Sequence, residues 1–336
     1  MLEGPESVKT AAEDVDEIEH KFYYGDMPQA EYRETPCKSA LNRVSGMPFR
    51  WSLNPYRGCL HGCHYCYARA THPYLGLNAG EDFATKIVVK TNMPEVLRQE
   101  LCRRSWTREQ VAIGTATDAY QPCEGCYRLT RRCLEVLRDH ATPVSIVTKS
   151  TLILRDLDLL AELAQGPGVT VYITITTLED GLWRLIEPST PPPRKRLEVL
   201  RRLSESGVRC GVFLSPILPG LTDSAASIEA VAAAAKAHGA ASFGSAVLRL
   251  APQVKEHYLA FVRETFPALL PRYARAYAGT SIAADYQSAI DRRVARVRER
   301  QGFSDDAMQG RWNDARTSMR TAEPVSVKTG QLALPL

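Results

Sequence analysis

Apolar positions along this chain switch between two periods, and the alternation predicts a series of strand–helix units. Apolar and β-branched runs at Trp51–Tyr56, Val111–Thr115, Val144–Lys149, Val169–Thr177, Arg209–Pro216 and Ser245–Leu250 read as strands. Between them, apolar residues spaced three and four apart predict helices. The first is Pro94–Arg103, with its proline in the first turn, where a missing N–H costs nothing. Others are Arg128–His140 and Leu157–Ala164, the latter stopped by Gly166-Pro167-Gly168. Arg194–Ser206 and Ile228–His238 end at Gly207 and Gly239, residues suited to a helix C-terminus. About six strands joined by helices predict parallel pairing through right-handed crossovers. Two α/β architectures satisfy this pattern, an incomplete (β/α) barrel or an open doubly wound sheet. In both, ligands sit at the carboxyl ends of the strands.

The periodicity fades at both ends. Residues 1–30 are acidic and aperiodic, which predicts a mobile arm. Residues 31–250 carry the strand–helix series, residues 251–305 predict a helical extension packed on it, and residues 306–336 predict a flexible polar tail. A length of 336 residues suits one large decorated domain or two smaller ones. Met1 to His20 has no apolar core of a secretory signal, and no run approaches the roughly 18 apolar residues of a membrane span. A cytoplasmic protein without membrane attachment is expected. The net charge of +4 gives little support to general polyanion binding. Two basic helical clusters, Arg194-Lys-Arg196 with Arg201-Arg202 and Arg292-Arg293 through Arg300, read either as solvated faces or as a track for a phosphate backbone.

Nine cysteines in such a chain predict metal or redox chemistry rather than disulfides. Three fall in Cys59-Leu-His-Gly-Cys63-His-Tyr-Cys66, a C-x3-C-x2-C spacing, and Gly58 and Gly62 permit the tight loop that convergence requires. Structural zinc and ordinary electron-transfer clusters usually take four protein ligands. Three adjacent thiolates without an equally close fourth favour an iron–sulfur cluster with one iron left open. His61 and His64 keep zinc as the competing reading. A second candidate metal set is Cys102, Cys123, Cys126 and Cys133. Against it, a helix starting near Cys126 would place Cys126, Leu129, Cys133 and Leu137 on one buried face, as small hydrophobes.

The C-x3-C-x2-C motif with Tyr65 before its third cysteine resembles the signature of the radical S-adenosylmethionine superfamily. Met47-Pro-Phe-Arg-Trp-Ser-Leu-Asn-Pro-Tyr-Arg-Gly-Cys59 and Tyr67-Ala-Arg-Ala-Thr-His-Pro-Tyr74 resemble the mycobacterial-type branch of the spore-photoproduct-lyase-like enzymes. So do Thr117–Pro122, Leu129–Arg131, Thr148–Ser150, Arg155–Leu157, Glu187-Pro188 and Pro219–Asp223, and the likeness runs from about Tyr32 to Tyr277. The resemblance implies an incomplete (β/α)6 barrel of the radical SAM type with a C-terminal helical extension. It implies a [4Fe–4S] cluster on Cys59, Cys63 and Cys66, with S-adenosylmethionine on the open iron. An external one-electron donor of flavodoxin or ferredoxin type would drive C–S cleavage to a 5′-deoxyadenosyl radical that abstracts hydrogen from a substrate.

By the same resemblance, the main chain of Tyr65 meets adenine, Thr117 and Asp118 meet the amino group, Lys149 pairs with the carboxylate and Thr176 bonds the ribose. Taken alone, each of these is equally an ordinary strand-end charge or a strand-forming threonine. The family's lesion-reversing lyases carry a hydrogen-donating cysteine near the end of the second barrel strand. Gly114-Thr-Ala-Thr-Asp118 has none, which leaves Cys123 as the thiol to examine. The substrate is left unidentified, with nucleic acid as a candidate class. Gln331-Leu-Ala-Leu-Pro-Leu336 resembles the peptide by which bacterial DNA-processing proteins hook onto the sliding clamp. Two non-enzymatic readings stay open: an iron–sulfur redox sensor or electron carrier, and a zinc-stabilised nucleic-acid-binding module.

Overall fold

The structure is a computed structural model that describes residues 30–303. The acidic arm over residues 1–29 and the tail with its clamp-like peptide, Gln331–Leu336, lie outside the described residues.

The strands are β1 (Glu31–Thr35), β2 (Leu41–Arg43), β3 (Trp51–Leu53), β4 (Tyr56–Arg57), β5 (Lys86–Lys90), β6 (Val111–Ile113), β7 (Val144–Thr148), β8 (Val169–Thr174), β9 (Arg209–Ile217) and β10 (Ser242–Val247). The main sheet runs β10-β9-β8-β7-β6-β3-β2. All six strands from β3 to β10 in this sheet are parallel, and only the edge strand β2 is antiparallel to its neighbour. Each parallel strand lies beside the one that precedes it in the chain. A doubly wound sheet needs a point where strand order reverses, and this order never reverses. Successive right-handed crossovers therefore wind one way, and the sheet is an incomplete (β/α)6 barrel. Val111 pairs with Val144 and Val144 with Val169, so the strand starts are level and the carboxyl ends gather in one region.

A second, three-stranded sheet, β1-β5-β4, has no counterpart in the sequence reading. Its strands are short and partly polar, so they carry little periodic signal. Its function is local. β4 pairs antiparallel with β5, closing the chain on either side of the cysteine loop. At Gly58, φ is +81°, and a Cβ would lie 2.9 Å from Lys86 O and 3.0 Å from Phe83 O. Only glycine permits that approach.

The helix predicted to begin near Cys126 is broken. A short turn, Glu124–Tyr127, ends at Arg128 with φ +50°, and a separate helix, Leu129–Asp139, follows. The cause is the fully buried Glu124, whose carboxylate accepts hydrogen bonds from the Thr130 and Arg131 amides at 3.0 and 3.3 Å and so caps the second helix. Cys126 is consequently exposed, away from the buried Cys133, and Cys102 is exposed as well. The shared face of thiols does not form.

After β10 come helices Pro252–Thr265, Leu270–Ala276 and Ala284–Arg300. The first packs on the turn that follows the cysteine loop, and the last on helix Ala225–Ala237 and β10. No helix among the described residues is long and apolar enough to cross a membrane.

Several arginines of the predicted basic faces are buried or paired rather than free in solvent. Arg196 is 1% exposed, Arg201 pairs with Glu198 and Glu205, and Arg300 pairs with Glu229. Arg298 is buried and Arg293 donates to Asp223 O. Helical spacing could not separate Arg196 and Arg300 from solvated arginines, because their partners Glu187 and Glu229 lie outside their own helices.

Gly114, directly after β6, has φ +85°, and a Cβ there would come within 2.3 Å of Val147 O. Gly114→Ala is expected to destabilise the protein by roughly 1–3 kcal/mol. A lower denaturant midpoint with an unchanged slope would show it.

Candidate functional site

The cysteine loop leaves β3 at the carboxyl end of the barrel and is tied there by side chains of the next unit. Asn54 accepts a hydrogen bond from the Ala116 amide at 2.8 Å and donates to Thr115 Oγ1 at 3.1 Å, joining the ends of β3 and β6. Gln121 accepts from the Leu60 amide at 3.0 Å and donates to Gly58 O at 3.1 Å. Thr117 donates its hydroxyl to the same Gly58 carbonyl at 2.6 Å. The loop is thus held by polar groups that would otherwise stand unpaired in the interior.

Cys59 and Cys63 are buried and Cys66 is half-buried. Burial pushes the Cys59 thiol well up, and the Asp118 carboxylate and the other two thiols push it further. Burial likewise raises Cys63 to about 12, although Lys149 pulls it down. These thiols resist ionisation until a metal supplies the compensating charge. Among the described residues, no three His, Cys, Asp or Glu side chains converge on a single metal ion. Three cysteine thiols on one loop are the donor type that an iron–sulfur cluster takes. His61 agrees with a bound group nearby: it is 2% exposed, and its Nε2 has no hydrogen-bond partner among the described residues.

The residues expected around a cofactor gather here with distinct surroundings. Asp118 accepts hydrogen bonds from the Tyr120 amide at 2.9 Å, Thr148 Oγ1 at 2.7 Å and the Lys149 amide at 2.8 Å, with His61 Nδ1 at 3.3 Å. Burial would raise its pKa, but His61 and these hydrogen bonds outweigh it and hold the carboxyl at about 2. Asp118 therefore locks the ends of β6 and β7 together. The ammonium of Lys149 lies 5.7 Å from the centre of the Tyr65 ring. Burial lowers its pKa, yet Cys63 and Glu187 more than compensate and leave it raised.

On the far side of the site, Tyr65 donates its hydroxyl to Glu187, and Thr176 donates to the same carboxylate oxygen at 2.8 Å. Glu187 is also paired with Arg196, whose guanidinium donates to Thr174 O at 3.0 Å and Pro191 O at 2.8 Å. Burial raises the Glu187 pKa, while Arg196 and Lys149 bring it down to about 2. Helix Pro252–Thr265 closes the outside of the loop. Phe261 stacks on His64 with ring centres 4.0 Å apart, and His257 stacks at 5.6 Å.

Gln121, Glu187, Arg196 and Tyr67 were not singled out as site residues by sequence. By sequence, Glu187 lies in a motif that assigns it no role, and Arg196 reads either as part of a solvated face or as part of a phosphate track. Tyr67 has a visible signal, an aromatic directly after the third cysteine. Tyr67 as a residue is 60% exposed, while its hydroxyl donates to Thr115 O at the end of β6. Cys123, by contrast, packs in a small core with Tyr56, Leu60, Ile87, Val89 and Leu129.

The family model of the radical SAM superfamily matches residues 53–231, more than half of the chain. Proteins of Mycobacterium tuberculosis and Mycobacterium bovis, both described as uncharacterized, are each 42% identical over 271 residues, which make up 79% of this chain and 79% of theirs. A protein of Methanocaldococcus jannaschii is 34% identical over 187 residues, 56% of this chain and 68% of its own. Among solved structures, a spore photoproduct lyase double mutant with bound AdoMet and dinucleoside spore photoproduct is similar in fold. Its TM-score is 0.60 at 14% identity, over 90% of this chain and 88% of that one. The chain belongs to the radical SAM superfamily, and is a radical SAM enzyme that uses a [4Fe–4S] cluster and S-adenosylmethionine.

Proposed function

We propose that Cys59, Cys63 and Cys66 hold the [4Fe–4S] cluster and that the enzyme abstracts hydrogen from a nucleic-acid substrate at the carboxyl end of the barrel. When bound and reduced by an external donor, the cluster supplies one electron that splits S-adenosylmethionine into methionine and a 5′-deoxyadenosyl radical. The observation that carries this reading is Lys149. Its ammonium stands beside the cysteine loop, and no acceptor among the described residues takes a hydrogen bond from it. A cofactor carboxylate is an acceptor suited to that ammonium. Tyr65 offers its main chain to adenine, and Thr176 keeps a lone pair for a ribose hydroxyl. Thr117 and Asp118 frame the pocket for the cofactor's amino group by holding Gly58 and the ends of β6 and β7.

The exposed face of Tyr67 supports the substrate class. Tethered by its hydroxyl at the barrel mouth, the ring offers a flat surface on which a base can stack. The fold likeness to a lyase solved with a dinucleoside agrees. The mouth residues Gly114–Asp118 present no thiol, and Cys123 is enclosed. The reaction is therefore read as a modification distinct from cysteine-assisted lesion reversal.

The test is anaerobic reconstitution and reduction with S-adenosylmethionine, with and without single-stranded DNA or RNA oligonucleotides. Release of 5′-deoxyadenosine identifies the enzyme and separates it from a redox sensor or a zinc module. Altered oligonucleotide mass identifies the substrate class. No adenosyl product would defeat the enzymatic reading, and product with unaltered oligonucleotides would defeat the nucleic-acid one. Lys149→Met is expected to raise the KM for S-adenosylmethionine about 10- to 100-fold, the worth of one hydrogen bond to a charged group. Iron content should stay unchanged.

A further inference from the structure

The cysteine loop contains a full positive charge for which the described residues supply no acid. Arg69 is 2% exposed. Its donors all go to main-chain carbonyls: Nε to Cys63 O at 3.0 Å, Nη2 to Gly62 O at 2.6 Å, and Nη1 to Ala79 O at 3.0 Å and to Gly80 O. The flat face of the guanidinium lies over Phe83, 5.0 Å from the ring centre. No Asp or Glu among the described residues pairs with it. Arg196, also buried, and Arg155, largely enclosed, are treated differently. Arg196 faces Glu187, and Arg155 faces Glu124 and Asp156. Carbonyl dipoles solvate a buried cation without cancelling its charge, and an unpaired buried charge is costly. Burial accordingly depresses the Arg69 pKa, and the groups that favour its charged form are Cys66, Cys63 and Cys59.

We propose that Arg69 is the built-in counter-charge of the iron–sulfur cluster, raising the cluster's reduction potential through its charge while its fork of hydrogen bonds shapes the loop. This rests on the assignment of Cys59, Cys63 and Cys66 as the ligands. A cluster held by three thiolates is a net anion, and accepting an electron makes it more negative. A fixed cation in a low-dielectric setting therefore favours the reduced form. Arg69 touches neither substrate nor cofactor sulfonium in this account. It is a positioning and tuning residue.

Two substitutions separate charge from shape. Arg69→Lys keeps the charge and loses the planar fork, whereas Arg69→Gln loses the charge and keeps an amide donor. The readouts are iron and sulfide per chain and the cluster midpoint potential from an EPR-monitored redox titration, measured on full-length, anaerobically reconstituted protein. The expected result is a midpoint shifted to more negative potential in Arg69→Gln and returned to the wild-type value in Arg69→Lys. If Arg69→Gln does not hold a cluster, loading of Arg69→Lys to the wild-type level supports the proposal. An unchanged midpoint in a loaded Arg69→Gln overturns it. So do equal shifts in both variants, failure of both to load, or loading by Gln and not by Lys, since each assigns Arg69 to shape alone. Wild-type protein that retains no iron and sulfide would instead remove the ligand assignment, and this inference with it.

Discussion

Replacing any one of Cys59, Cys63 or Cys66 by alanine is expected to strip the cluster and reduce 5′-deoxyadenosine release more than about a hundredfold. Loss of an outer partner of a metal site alone costs about 10- to 100-fold, and a missing ligand costs more. The structure explains why no nearby group can substitute. Cys123 is enclosed in its own small apolar cluster, and His64 is stacked against Phe261 and His257. His61 is held by Asp118 at 3.3 Å. Cys102→Ala and Cys126→Ala, both at exposed positions, are expected to retain full iron and sulfide and full activity. Iron and sulfide analysis of the five variants after anaerobic purification checks this. Full cluster content in any of the three loop variants would contradict the ligand assignment, and loss in Cys102→Ala or Cys126→Ala would revive a second metal centre.

Glu187→Gln is expected to destabilise the protein by about 3–5 kcal/mol, the usual cost of removing one partner from a buried ion pair. Both members of this pair are 1% exposed, so the guanidinium of Arg196 would be left charged with only carbonyls and hydroxyls around it. The same carboxylate accepts from Tyr65 and Thr176. Its loss therefore frees two side chains that face the cofactor region, and the KM for S-adenosylmethionine should rise as well. Urea unfolding of the iron-free protein isolates the stability effect from any contribution of the cluster. The double variant Glu187→Gln with Arg196→Met should be less damaging than the two single effects added together, because it removes the stranded charge. Strict additivity would mean that the pair contributes no coupling.

Much of the site was legible because it is local. The spacing of Cys59, Cys63 and Cys66 in one loop is a property of consecutive residues, and their chemistry follows from thiolate ligation. The alternation of β-branched runs with amphipathic stretches likewise announced six parallel strands, and all six are present. Strand ends were less well placed. Ser245–Leu250 is β10 at Ser242–Val247, because Gly244 and two serines weakened its apolar signal. The helix expected from Arg128 starts one residue later, where the buried Glu124 carboxylate caps it.

Charge was the least legible property. Arg196 and Arg201 lie on one helix, five residues apart, yet the first is a buried half of an ion pair and the second a solvated surface group. Glu187, nine residues before Arg196, carries the pairing, and no helical or strand period marks that distance. Asp118 is similar: a residue expected to face a ligand has its oxygens engaged by the Thr148 hydroxyl, the Lys149 amide and His61. Short-range spacing encodes the three-thiol loop and the parallel strand–helix plan. Which charges are buried, which partner faces each, and how the β1-β5-β4 sheet closes the loop emerge only once the chain is folded. Burial and pairing depend on elements far apart in the chain, and their electrostatic cost is set by where the fold brings them together.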